Sequence, residues 1–213
     1  MTRSLRGATG VFGGTFDPIH YAHLAVAEAA RDAFDLRRVL FIPAAQPPHK
    51  PDRSIAGAEH RFAMVQAAIA DNPGFEISRT ELDRGGPSYT VETLASLRAA
   101  DPDRPLALIL SAESFAELPT WHEPLRILEL AEVVIVAPRF GYDEVDGSFL
   151  TRNFPKTTAE AVFLDGPHVR LSASEIRARA ATGRSLRYLV PDAVAAYIGD
   201  HGLYQDQRRT DRS

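Results

Sequence analysis

The chain has 213 residues, 45% hydrophobic and 24% charged, which is enough for one sizeable domain with a proper core and argues against wholesale disorder. The absence of cysteine excludes a disulfide framework, a thiolate metal site and a cysteine nucleophile. Lys and Arg total 24 against 28 Asp and Glu, no run approaches the ~18 apolar residues of a membrane span, and no signal-type segment precedes the first strand, so a cytoplasmic protein with neither nucleic-acid nor membrane partners is expected.

The first element reads as a short buried strand around Val11 and Phe12, followed by Gly13 and Gly14. These glycines remove Cβ atoms where the chain leaves the strand and let the backbone come close to a ligand. After Pro18, residues 21–34 are rich in alanine and contain no Gly or Pro, so they predict a helix. His20 and His23 then share one face of its first turn. A helix N-terminus offers unpaired N–H groups and the positive end of the macrodipole, and two imidazoles add donors to a site that already favours phosphate. The run Gly13-Gly14-Thr15-Phe16-Asp17-Pro18-Ile19-His20-Tyr21-Ala22-His23 resembles the G-G-T-F-D-P-x-H-x-G-H signature of the nucleotidyltransferases related to class I aminoacyl-tRNA synthetases. Within them it is most similar to the bacterial nicotinate-nucleotide adenylyltransferases, with Ala22 standing where the pattern has glycine.

Residues 38–43 form an apolar run rich in β-formers, a second strand. Strand, helix, strand alternation predicts an α/β fold: one doubly wound, mainly parallel Rossmann-like sheet with helices on both faces, and ligands beyond the carboxyl ends of the strands. A single domain over residues 1–213 is expected. The loop 44–54 carries His49 and Lys50. Taken alone it is a stiff, solvated connection; the resemblance of its P-P-H-K run implies that Lys50 contacts phosphate. Residues 58–71 predict an amphipathic helix that puts Phe62, Met64, Val65 and Ile69 in the core, and residues 75–78 a short strand. From Ser78 to Thr90 the residues themselves indicate a strand end, a mobile glycine loop at Gly85 and Gly86, and a new helix with Ser88 as its cap. The run is also similar to the I-S-x-x-E-x-x-R…S-Y-T element of the family, which implies that Thr80, Tyr89 and Thr90 hold the nicotinate end.

Residues 89–100 predict a helix with Val91, Leu94 and Leu97 facing a core, and residues 106–110 a buried central strand. Directly after it, Ser111-Ala112-Glu113 departs from the family's G-A-D, while Leu118-Pro119, Trp121 and His122 match its L-P-x-W-H. The chain's only tryptophan is thus set on a proline-started turn, where an indole suits stacking on a pyridine ring. Residues 131–138 and 161–164 read as strands, and 140–158 as an irregular excursion. Ser172 and Glu175 have capping-box spacing, so a helix starts there with Ser174 and Arg177 on its first turn. Leu171-Ser172-Ala173-Ser174-Glu175-Ile176-Arg177 resembles the I-S-S-T-x-I-R motif, which implies contacts to the ATP phosphates. Pro191 opens a last helix that runs to about His201 and is ended by Gly202; residues 205–213 read as a frayed tail.

The resemblance implies transfer of the AMP moiety of ATP to nicotinate mononucleotide, giving nicotinate adenine dinucleotide and pyrophosphate. It assigns catalysis to His20, His23 and Arg177. ATP contacts fall to Gly13, Gly14, Thr15, Phe16, His20, His23, Lys50, Ser111, Glu113, Ser174 and Arg177, and nicotinate-nucleotide contacts to Lys50, Thr80, Tyr89, Thr90, Trp121 and His122. Mg²⁺ is expected with ATP, bound mainly through its phosphates and without a fixed protein site. Two alternatives stand beside this. One is another acceptor, nicotinamide mononucleotide or phosphopantetheine, the latter disfavoured by the length of the chain and by the Tyr89 and Trp121 elements. The other is nucleotide binding without turnover, motivated by Ala22, Ser111 and Glu113.

Overall fold

Strands and helices alternate along the chain as the hydrophobic periods predict. The computed structural model describes residues 5–47, 55–138 and 145–205. Its strands are β1 (Thr9–Gly14), β2 (Arg38–Pro43), β3 (Phe75–Ile77), β4 (Leu106–Ser111), β5 (Val133–Ala137) and β6 (Glu160–Phe163). All pair in parallel, in the order β3-β2-β1-β4-β5-β6. Crossovers from β1 run outward to β2 and β3, then return to β4 on the other side. The point where the order reverses therefore lies between β1 and β4, and a crevice opens beyond their carboxyl ends.

The helices are α1 (Tyr21–Phe34), α2 (Ala58–Ile69), α3 (Thr80–Arg84), α4 (Thr90–Ala100), α5 (Ala112–Glu117), α6 (Pro124–Ala131), α7 (Phe149–Asn153), α8 (Ala173–Ala181) and α9 (Asp192–Asp200). Successive strand side chains point to opposite faces, so the core divides into two layers. Phe12, Phe41, Ile109 and Ile135 pack with α1, α2, α8 and α9. Val11, Leu40, Leu108 and Val134 pack with α4, α5, α6 and α7. The doubly wound, Rossmann-like sheet with helices on both faces is thus present.

Several local expectations are corrected. The stretch 80–84 is a short helix rather than part of a mobile loop. Ser88 does not cap α4, because its Oγ accepts from the backbone N–H groups of Ala45 (2.8 Å) and Gln46 (3.2 Å) and so joins this segment to the loop after β2. The Ser172–Glu175 capping box does not form: Ser172 has the extended backbone of an N-cap, but its side chain makes no capping bond, and both residues line the crevice instead. Within the excursion 140–158, α7 is helical, and residues 139–144 lie outside the described residues. In α2, Phe62 is only partly buried and stacks against the Arg79 guanidinium (4.9 Å to the ring centre), while Arg61 takes the core position. Helices α5 and α6 were not anticipated. Ser111 caps α5 by accepting from the Ser114 N–H at 3.1 Å, and Pro124 starts α6 at a position where a missing N–H costs nothing.

Candidate active site

The crevice is a cleft of ≈ 580 Å³. One wall carries Gly13, Gly14 and Phe16 from the end of β1, with His20, Ala22 and His23 from the start of α1. Ser111 at the end of β4, Glu113, Ser114 and Trp121 after it, and residues 167–172 with Glu175 of α8 complete the lining of the cleft.

The two glycines serve different purposes. A Cβ on Gly13 would meet nothing within 4 Å, so its bare backbone faces open cleft. On Gly14 a Cβ would stand 3.0–3.2 Å from the Phe16 ring, so this glycine makes room for a protein side chain. Phe16, in the left-handed region at φ 48°, is buried with edge contacts to Phe12 (5.6 Å) and His23 (5.1 Å). It shapes the base of the cleft from within the core.

His20 is the N-cap of α1 and only 4% exposed. Its backbone N–H donates to Nδ1 of His23 at 3.3 Å, and the rings stack with centroids 3.7 Å apart and planes 18° from parallel. With Nδ1 acting as acceptor, the neutral His23 ring carries its proton on Nε2. The stack thus places two imidazoles beside the N–H groups of the first turn of α1, with both residues on the cleft wall.

Arg177 lies behind this turn. Its Nη1 donates to the Asp17 carbonyl oxygen at 2.7 Å and stands 3.4 Å from the Asp17 carboxylate, and its Nη2 donates to Ser174 Oγ at 3.1 Å. Asp17 is 3% exposed, and its Oδ1 accepts from the Ala56 N–H (3.1 Å) and from the Tyr204 hydroxyl (2.7 Å). Burial, then the charge and hydrogen bond of Asp17, push the Tyr204 hydroxyl well above its ordinary value, so it remains a donor across the working pH range.

The expected residues are thus partly gathered. Gly13, Gly14, Phe16, His20, His23, Ser111, Glu113 and Trp121 line one cleft. Thr15, Ser174 and Arg177 adjoin it without being part of its lining. Tyr89 and His122 stack on each other at 4.5 Å, and Tyr89 packs in the same apolar cluster as Trp121. Thr90 begins α4. Thr80 begins α3, with its hydroxyl 2.6 Å from that of Ser78, and the cleft lining does not include it. Lys50 lies outside the described residues. His168, Val169 and Arg170 also line the cleft, and the only local signal for them is the Gly166-Pro167 turn just before the α8 motif. Arg61 was likewise not anticipated.

Known proteins resemble this chain in sequence and in overall fold. A family model described as cytidylyltransferase-like matches residues 11–179. A probable nicotinate-nucleotide adenylyltransferase of Roseiflexus castenholzii is 50% identical over 199 residues, covering 93% of this chain and 98% of that protein. One of the same name from Thermomicrobium roseum is 47% identical over 196 residues, 92% and 91% of the two chains. The solved nicotinic acid mononucleotide adenylyltransferase of Plasmodium falciparum, complexed with NaAD, superposes with a TM-score of 0.75 at 18% identity, over 93% of this chain and 98% of that one.

Proposed function

The chain belongs to the nicotinate-nucleotide adenylyltransferases, within the cytidylyltransferase-like family, and from that premise we infer its reaction and the residues that carry it. It transfers the adenylyl group of ATP to nicotinate mononucleotide, forming nicotinate adenine dinucleotide and releasing pyrophosphate, a step of NAD biosynthesis. A phosphate monoester has its second pKa near ~6, so the attacking oxygen is already largely ionised at neutral pH and no strong base is needed. The new bond joins that oxygen to the α-phosphorus, and the bond from the α-phosphorus to the bridging oxygen breaks. The protein has to bring two anions into line and stabilise the charge that moves onto pyrophosphate.

The observation that carries the residue-level reading is the shared cleft. The stacked His20 and His23, at a helix N-terminus, share its lining with the bare backbone of Gly13 and with Trp121. On this reading the histidines and α1 hold the triphosphate, with Lys50 as a further phosphate contact. Arg177 lends its charge from behind the turn, since its guanidinium is already engaged by Asp17 and Ser174. Trp121, with Tyr89 and His122 next to it, takes the pyridine ring. Glu113 and Glu175 line the cleft and carry carboxylates, the donor type that Mg²⁺ accepts, and the ion brought with ATP would neutralise charge on the leaving phosphates. Among the described residues no helix is long and apolar enough to cross a membrane.

The test is a paired assay. Pyrophosphate release is expected only with ATP, Mg²⁺ and the acid form of the mononucleotide together. Equal rates with the amide form would overturn the acceptor assignment, and ATP binding without release on any acceptor would favour a binding protein. In the same assay Trp121→Ala should raise KM for the mononucleotide by roughly 10- to 30-fold, the loss of about 1.5–2 kcal/mol of stacking and burial, with KM for ATP within twofold.

A further inference from the structure

Arg61 is a charged residue in a core position. Only 1% exposed, it projects from α2 into the space between the loops that follow β1 and β2. Its Nε donates to the Ala56 carbonyl at 2.9 Å, Nη1 to the Thr15 carbonyl at 2.9 Å and Nη2 to the Ala45 carbonyl at 3.1 Å. Burial draws its pKa below the ordinary arginine value, opposed chiefly by the negative charge of Asp17. A well-packed apolar residue would serve the core as well as a buried guanidinium, so its three backbone acceptors point to a role in setting the geometry of the loops it joins. Asp17, two residues after Thr15, is held in its turn by Tyr204, which follows α9 and is 187 residues away in sequence.

The consequence concerns a peptide plane. The Thr15–Phe16 bond is trans, since the cis bonds among the described residues are Asp17-Pro18 and Gly166-Pro167. In a trans peptide the C=O and the N–H point in opposite directions. A guanidinium that grips the Thr15 carbonyl therefore fixes the orientation of the Thr15–Phe16 peptide, and with it the direction of the Phe16 N–H, in the turn that joins Gly14 to His20 of the cleft lining. We propose that Arg61 and Tyr204 are positioning residues of the transfer reaction: Arg61 sets the Thr15–Phe16 peptide and ties it to the loop after β2, and Tyr204 pins Asp17 so that the turn cannot rotate. Neither touches substrate. Both act through the backbone that does, and the inference rests on the nucleotidyl-transfer reading above.

Lysine cannot span three carbonyls with one ammonium, and Tyr204→Phe removes a single hydroxyl, so the two changes probe the turn with little loss of volume. With ATP and nicotinate mononucleotide, Arg61→Lys should lower kcat about 10- to 100-fold and Tyr204→Phe about 3- to 10-fold, with KM for the mononucleotide within twofold, as for a reacting group misplaced rather than removed. Leu130→Ala, in the core of α6 on the opposite face of the sheet, is the stability control. It should lower the thermal midpoint at least as much as either variant and keep kcat within twofold. The proposal is overturned if both variants keep kcat within twofold of wild type, or if kcat merely follows the thermal midpoint across all three proteins. Should Arg61→Lys not fold, Tyr204→Phe decides alone: a threefold or larger fall in kcat at an unchanged midpoint supports the positioning role, and an unchanged kcat refutes it. If the wild type releases no pyrophosphate, the reaction assignment fails separately. Calorimetric ATP affinity then reads the turn, with a loss of at least fivefold expected in Arg61→Lys and an unchanged affinity overturning the inference.

Discussion

Replacing His23 by alanine should lower kcat/KM for ATP by about 100- to 1,000-fold, the 2.7–4 kcal/mol that one positioned donor contributes where charge develops in a transition state. Its Nδ1 accepts from the His20 N–H at 3.3 Å, which fixes the orientation of the ring in the cleft lining. His20→Ala should match it in activity but also lower the thermal midpoint. His20 is 4% exposed, caps α1 and stacks on its neighbour, so its loss leaves a cavity at a helix start. Steady-state pyrophosphate release and thermal unfolding read the two effects separately. If His23→Ala keeps kcat/KM within threefold, the stacked pair serves the helix and not the phosphates.

Gly13→Ala and Gly14→Ala should have opposite signatures. At Gly13 the added methyl enters open cleft, so the fold should be unaffected while ATP affinity falls by about 10- to 100-fold, the ~1–3 kcal/mol of overpacking in the space a ligand needs. At Gly14 the methyl would lie 3.0–3.2 Å from the Phe16 ring, which has no room to move between Phe12, His23 and Phe41. That substitution should cost about 1–3 kcal/mol of stability and several degrees in thermal midpoint. Calorimetric titration with ATP beside thermal unfolding distinguishes them. A Gly13→Ala protein with wild-type ATP affinity would mean that the ligand does not approach this backbone.

Most of the architecture was legible because it rests on local periodicity. Continuous burial in β1, β2, β4 and β5 follows from continuous apolar runs, and α1, α2 and α4 from stripes three and four residues apart. The histidine pair and the Trp121 turn were legible as motifs, and the cleft brings them together. What escaped were partners distant in sequence. Ser88 looks like a helix cap until its hydroxyl is seen on the loop after β2, 43 residues away from Ala45. Arg61 looks like the polar side of α2, because nothing local indicates that three carbonyls from two loops converge on it.

By itself the sequence determined the strand and helix alternation, the glycine turn and its two histidines, and through them the family, since each of these depends on residues within a few positions of one another. Only the tertiary structure decided that Gly13 faces the open cleft while Gly14 faces Phe16, that Arg177 leans on Asp17, and that Tyr204, next to what reads as a loose tail, is pinned to Asp17 in the turn after β1. Buried polar groups have to find partners wherever the packed chain provides them. Their identity is therefore settled by packing, over separations of as many as 187 residues, and leaves no period in the sequence.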